Sequence, residues 1–285
     1  MTTIEALILG FIQGITEFLP VSSSGHLVVT QRLFGLKDIP ILYNVFLHLA
    51  TLLAVVIFFR KQIIDLVCVL FRWIFRKPVP NKNGEQGSLL QAAQMIEEKA
   101  KRQMIISLIL ATIVTGCMGL GISPMLPDFP IMYVYVGFIC TAFILLVSAR
   151  IKPKAKKSDK VTLVTPLQGL FIGFMQGVGV FPGISRSGST IAGAMFAGVD
   201  RNIAGEFSFL LSIPAILGAF LLELKDLDGV ASTIGTVPIL AGCAAAFISG
   251  LFCLAFLMKL IKKGKLEYFA YYLIPLAVIG LLFFR

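Results

Sequence analysis

Charge is scarce in this chain. Of 285 residues only 14% are Asp, Glu, Lys or Arg, against roughly 25% in a soluble domain. That shortage excludes an ordinary water-exposed globular surface, and a mean hydropathy of +0.91 agrees. Acids are the scarcer sign, 15 against 25 bases, for a net charge of +10. The bases lie mostly in loops between apolar runs, so anionic membrane surfaces and anionic substrates are the expected partners, and nucleic acid is not. The five cysteines (Cys68, Cys117, Cys140, Cys243, Cys253) lack metal-ligand spacing, which leaves them as free thiols. The N-terminus has no basic stretch and carries Glu5, which argues against a cleaved signal peptide.

What is present is apolar sequence in long runs. Six stretches approach the roughly 20 residues a bilayer core requires: Ile41–Phe59, Met104–Ile122, Ile131–Ala149, Phe207–Leu222, Ile234–Met258 and Leu266–Phe284. Pro214, Pro238 and Pro275 within them are tolerable in membrane helices. Two more apolar regions, Ile4–Leu36 and Val161–Val199, are broken midway by Gly, Pro and Ser, and each reads as a re-entrant helix hairpin. Loop charge sets the sidedness. Arg60–Arg102 holds nine Lys/Arg, Arg150–Lys160 six and Lys259–Lys265 four, whereas Ser123–Pro130 holds none. The positive-inside rule makes the basic side cytoplasmic and places both termini outside. Within the basic loop of about residues 60–103, Leu89, Ala93, Ile96 and Ala100 share one helical face, which predicts an interfacial amphipathic helix.

The chain also matches itself at an offset of 163 positions. Leu7–His26 lies over Leu170–Ser189 without gaps, and nine of these 20 positions are identical. A single membrane domain, 1–285, therefore reads as two repeats, 1–149 and 161–285, each opening with a hairpin. Three full spans separate the hairpins, so they enter from opposite faces. This all-α, inverted-topology arrangement brings their tips together near the midplane. Broken backbone at that depth must line a protein-enclosed or watery cavity, and helices starting at the tips would aim amides into it, as an anion requires.

The two copies differ in their chemistry. The first carries Glu17 and His26 where the second has Val180 and Ser189; the second carries Arg186 opposite Ser23. Ionisable groups within a membrane are costly and usually functional. Arg186, between Ser185 and Ser187 and shortly before Thr190, suits a phosphate oxyanion. Its bland alternative is a structural ion pair with Glu17. Glu17 can act as general base or hold a cation, and His26 can relay a proton or attack phosphorus. Ser22, Ser23 and Ser24 can bind phosphate or simply cap a helix. Gln13 and Gln176, at equivalent positions, are expected to brace the hairpin turns. His48 reads as a packing residue or a partner behind the site, and Asp200 and Glu206 as caps or ion-pair partners at the start of a span.

These two elements, Gln13-Gly-Ile-Thr-Glu-Phe-Leu-Pro-Val-Ser-Ser-Ser-Gly-His26 and Pro182-Gly-Ile-Ser-Arg-Ser-Gly-Ser-Thr190, closely resemble the signatures of the bacterial undecaprenyl-diphosphatase family, the bacitracin-resistance type. The resemblance runs the whole chain, including Glu206-Phe-Ser-Phe-Leu-Leu. It implies hydrolysis of undecaprenyl diphosphate to the monophosphate at the outer face of the bacterial cytoplasmic membrane, which recycles a lipid carrier for the cell wall. It also implies six spans with two re-entrant helix pairs, a divalent cation (Mg2+ or Ca2+) near Glu17, and a possible homodimer. The family's histidine falls on His26, its candidate nucleophilic serine on Ser23, and its phosphate-binding residues on Ser185, Arg186 and Thr190. Gln13 stands where the family has Glu or Gln, so Glu17 alone can supply carboxylate chemistry in this motif. Whether Ser23, His26 or water attacks phosphorus stays open at this level. The main rival function is a lipid-phosphate flippase, because inverted repeats with broken helices are also a transporter design.

Overall fold

The computed structural model describes residues 1–36, 41–79, 88–126, 130–151, 163–223 and 234–283. The basic stretch 152–160, the connector 224–232 and part of the long basic loop, 80–87, lie outside the described residues. Every regular element among those described is helical. In chain order they are α1 (Thr3–Phe18), α2 (Ser23–Leu33), α3 (Ile41–Phe58), α4 (Arg60–Ile74), α5 (Ser88–Ile122), α6 (Ile131–Ala149), α7 (Pro166–Val178), α8 (Arg186–Phe196), α9 (Arg201–Glu223), α10 (Thr236–Lys263) and α11 (Glu267–Phe283).

Both regions read as hairpins are helix–break–helix units. Each starts on a capping box. Thr2 and Glu5 exchange bonds ahead of α1, and Thr165 and Gln168 do so ahead of α7, again 163 positions on. α1 stops before Pro20, and α7 before the Gly179–Gly183 stretch. Gly183 has φ +89° and packs on the Val134 carbonyl, so no other residue fits there without strain.

Among the described residues, four helices are long and apolar enough to cross a bilayer, within α5, α6, α9 and α10. α3 and α4 pass the test only together and meet at 78°, and α11 is a shorter apolar helix. The outward faces carry large apolar side chains such as Phe143, Phe252, Ile113 and Leu240. In water such a surface would aggregate, and lipid is the solvent that suits it. The chain is a multi-pass membrane protein.

One sequence expectation needs correction. Leu89–Ala100 is not a separate interfacial helix. It is the first part of the 35-residue α5, because no Gly or Pro interrupts the good helix formers from Ser88 into the span. The amphipathic helix is instead α4, which turns away from α3 and exposes Ile64, Val67, Phe71 and Ile74 beside Arg60, Lys61 and Arg72. It is tied to α5 by Arg72, whose guanidinium donates to Glu98 at 3.0 and 3.2 Å.

Packing positions the two hairpins through small residues. α1 runs along α10, and α7 along α5. A Cβ at Gly10 would lie 2.8 Å from the Gly242 Cα, and one at Gly14 would lie 2.8 Å from the Gly250 nitrogen. On the other seam, a Cβ at Gly173 would lie 2.6 Å from the Ala111 Cα, and one at Gly169 2.8 Å from the Ser107 Cα. Lipid offers apolar helices no hydrophobic drive to associate, so close backbone approach at small residues supplies the packing. Ser107 and Thr115 add bonds from α5 to Val164 O and Gly173 O, at 2.9 and 3.0 Å.

Candidate active site

The hairpin breaks bring the two motifs face to face. Glu17 lies at the end of α1, buried, and Arg186 at the start of α8. Arg186 Nη2 donates to Glu17 Oε1. The other carboxylate oxygen, Oε2, accepts from Ser23 Oγ at 2.6 Å and from Gln13 Nε2 at 3.0 Å, and His48 Nε2 lies 3.4 Å from it. Gln13 and Glu17 are four residues apart on α1, which places them on one face. His48 Nδ1 is 2.7 Å from the Asn44 carbonyl. A carbonyl only accepts, so Nδ1 carries hydrogen, and only a doubly protonated ring donates to both neighbours. Glu17 therefore has a guanidinium on one side and an imidazole on the other.

The helices on either side of the breaks start in matching fashion. Ser22 caps α2, accepting from Gly25 N at 3.4 Å, and Ser185 caps α8, accepting from Gly188 N at 3.0 Å. Ser22 and Ser24 are 3.4 Å apart through their hydroxyls, and Ser185 and Ser187 are 3.3 Å apart. Ser22 holds φ at 69°, a left-handed conformation unfavourable for a residue with a side chain and typical of functional turns. Ser187 Oγ reaches the Leu19 carbonyl at 3.4 Å and so joins the second break to the first. Thr141 of α6 holds the second break from behind: its Oγ1 accepts from Ser185 N at 2.9 Å and donates to Gly183 O at 3.1 Å. Thr190 donates to Arg186 O at 2.9 Å and is hydrogen-bonded to Ser208 of α9.

A cavity lies against the pair, lined by Glu17, Arg186, Thr190, Gln176, Ser208 and Thr51 among others, with about 10 Å3 of room for the centre of a water. That is space for a single water and no more.

Residues 6–279 match the family model described as bacitracin resistance protein BacA. The chain belongs to this family. It is 46% identical over 278 residues to the undecaprenyl-diphosphatase of Treponema denticola, covering 98% of this chain and 96% of the relative. The undecaprenyl-diphosphatase of Carboxydothermus hydrogenoformans is 37% identical over 283 residues (98% and 96%), and that of Alkaliphilus metalliredigens 38% over 285 (99% and 99%).

In this BacA-family chain, then, Glu17, Ser23, Gln13 and Arg186 form one hydrogen-bonded cluster, with Ser22, Ser24, Ser185, Ser187 and Thr190 around the two helix starts. His26 stands apart from it. Its Nδ1 is 2.8 Å from the Ser22 carbonyl and its Nε2 2.9 Å from Tyr272 Oη, so neither ring nitrogen is bonded to Glu17 or Ser23. The glutamines do not brace their turns, as expected of them. Gln13 bonds Glu17, and Gln176 Nε2 donates to Thr115 Oγ1 of α5 at 3.2 Å, because α5 packs along α7 and brings Thr115 within reach. Asp200 does cap α9, accepting from Asn202 N at 2.9 Å. Thr115 and Thr141 could not have been singled out beforehand, because each is an ordinary residue of an apolar span. Ser208 lay within a quoted signature, and only the packing of α9 on α8 gives it a partner.

Proposed function

We propose that this chain is an undecaprenyl-diphosphatase, hydrolysing undecaprenyl diphosphate to undecaprenyl monophosphate and inorganic phosphate and so recycling the lipid carrier for cell-wall synthesis. The observation that carries it is the meeting of Glu17 and Ser23 from one motif with Arg186 from the other, on a chain whose family and named relatives carry that activity. The closed Glu17–Arg186 pair is the resting state. An entering diphosphate takes the guanidinium from Glu17, since a fork of donors suits phosphate oxygens as well as carboxylate. Arg186, Ser185, Ser187, Thr190 and the amides opening α8 then hold the terminal phosphate. Phosphoryl transfer depends chiefly on such positioning and charge stabilisation.

Glu17, released from Arg186, takes the Ser23 hydroxyl hydrogen across the existing 2.6 Å bond. Ser23 Oγ attacks the terminal phosphorus and the bond from that phosphorus to the bridging oxygen breaks. Undecaprenyl monophosphate leaves with the proton Glu17 had taken; the restored Glu17 carboxylate then deprotonates a water, which attacks the phosphorus, and the Ser23 oxygen departs with that proton as phosphate is freed. The donors around Glu17 do not fit a resident cation. Both its oxygens are already bonded, and among the described residues no three His, Cys, Asp or Glu side chains gather at one point. The Mg2+ or Ca2+ implied by the family is proposed instead to arrive as the diphosphate's counter-ion, and no step is assigned to it.

The inverted repeat of six spans and two re-entrant hairpins belongs to the same proposal. It is supported by reciprocal packing, α1 on α10 and α7 on α5, and by the capping boxes 163 positions apart. The bias of basic residues toward one set of loops supports the bacterial cytoplasm on that side and both termini outside. A homodimer is the proposed assembly, and crosslinking in native membranes tests it. The enzyme reading is tested with purified, detergent-solubilised protein and undecaprenyl diphosphate. Release of inorganic phosphate is expected; a flippase without hydrolysis would release none, because transport requires a sealed membrane.

A further inference from the structure

His26 is held on both ring nitrogens, and its second partner comes from the far end of the chain. Nδ1 lies 2.8 Å from the Ser22 carbonyl, and Nε2 lies 2.9 Å from Tyr272 Oη, 246 positions away on α11. A carbonyl oxygen has no hydrogen to give, so Nδ1 bears the hydrogen of that bond. In the neutral ring Nε2 is then an acceptor, and the phenol of Tyr272 donates to it. The imidazole is also fixed in direction. It lies on Phe138 of α6 with centroids 5.1 Å apart, and alongside the Tyr272 ring at 5.8 Å with planes 16° apart. α11 is itself locked to α6, because Gly280 leaves room for the Tyr135 ring. His26 and Ser23 are three residues apart in the first turn of α2 and so share a side of the helix.

We propose that Tyr272 is a positioning residue for the hydrolysis: with Nδ1–H held by the Ser22 carbonyl, the phenol donates to the Nε2 lone pair and fixes the direction of the His26 ring. Partial exposure leaves the phenol free to yield its place to the diphosphate or to water. The bond that Nδ1 makes to Ser22 holds the residue that starts α2 and precedes Ser23. The inference rests on the reading of His26 as a working residue, and it adds a contribution from α11 that neither motif contains.

Tyr272→Phe keeps the ring stack and removes only the hydroxyl. Purified, detergent-solubilised protein is assayed for phosphate release from undecaprenyl diphosphate. In parallel, 15N spectra of histidine-labelled protein report which ring nitrogen of His26 is protonated. The expected result is a fall in kcat of about tenfold, as for other partners that orient a histidine, with KM within about twofold and the His26 Nε2 signal shifted by loss of the phenol's hydrogen bond. Tyr271→Phe, on the neighbouring exposed tyrosine, is expected to leave activity and spectra unchanged. His26→Ala separates the two levels. If it is inactive while Tyr272→Phe matches the parent in kcat and in the Nε2 signal of His26, Tyr272 is only a packing residue and the inference is overturned. If His26→Ala keeps full turnover, the reading of His26 fails and the inference falls with it. In the double variant, Tyr272→Phe is expected to add no further loss to His26→Ala.

Discussion

Ser23 and Glu17 are joined by a 2.6 Å hydrogen bond, hydroxyl to carboxylate, across the break between α1 and α2. The same carboxylate faces Arg186 through its other oxygen. One acid thus touches both the group proposed to attack and the group proposed to hold the phosphate. Glu17→Gln keeps the size and a bonding partner for Ser23 but removes the base. Phosphate release by purified protein is expected to fall by about 10²- to 10⁴-fold, the usual contribution of a general base. Retention of full turnover by this variant would remove Glu17 from the mechanism.

Arg186→Lys retains the charge and loses the planar fork. A drop of about 10²-fold or more in kcat/KM is expected, in keeping with the loss of one charge-stabilising donor. Steady-state kinetics over a range of lipid diphosphate concentrations measure it. Unchanged kcat/KM would mean that Arg186 serves the fold through its pair with Glu17 and does not clamp the substrate.

His48 of α3 brings its Nε2 to 3.4 Å from Glu17 Oε2, while Arg186 bonds the other carboxylate oxygen. His48→Leu is expected to lower kcat/KM by about fivefold, an order-of-magnitude figure for one polar contact of about 1 kcal/mol. His48→Gln, whose amide still donates, is expected to recover most of that. Equal activity of the Leu variant and the parent in the phosphate assay would reduce His48 to packing.

Gly14 sits where α1 touches α10. A methyl there would meet the Ser249 hydroxyl and the Ala246 carbonyl, and would lie 2.8 Å from the Gly250 nitrogen. Gly14→Ala is expected to cost about 1–3 kcal/mol through overpacking. It should lower the unfolding midpoint in detergent by several degrees and reduce activity, because Gln13 and Glu17 ride on the same helix. An unchanged midpoint would show that the seam has slack.

Much of this was legible in the sequence for identifiable reasons. Gly, Pro and Ser cannot continue a helix cheaply, so both breaks stood out, and the spans of α3 and α6 begin and end within a residue of their apolar runs. The serines and Arg186 stood out because polar groups in an apolar chain are conspicuous. Other features were hidden. A histidine inside an apolar run gives no sign of which residue it faces, so His48 and Tyr272 needed the packing of distant helices. The α4 helix was hidden because its bases made it look like part of a loop. The matching caps Thr2–Glu5 and Thr165–Gln168 were missed because Glu and Gln differ in identity while making the same bond.

The seams that hold the hairpins also impose a schedule on biosynthesis. α1 leaves the ribosome well before its seat, α10, which ends at Lys263. The helix that carries Glu17 therefore waits for most of the chain before it finds its bed, whereas α7 meets an α5 already made. Assembly of the two motifs is separated in time, and a chain truncated before α10 would be left with a complete phosphate clamp and an unseated acid.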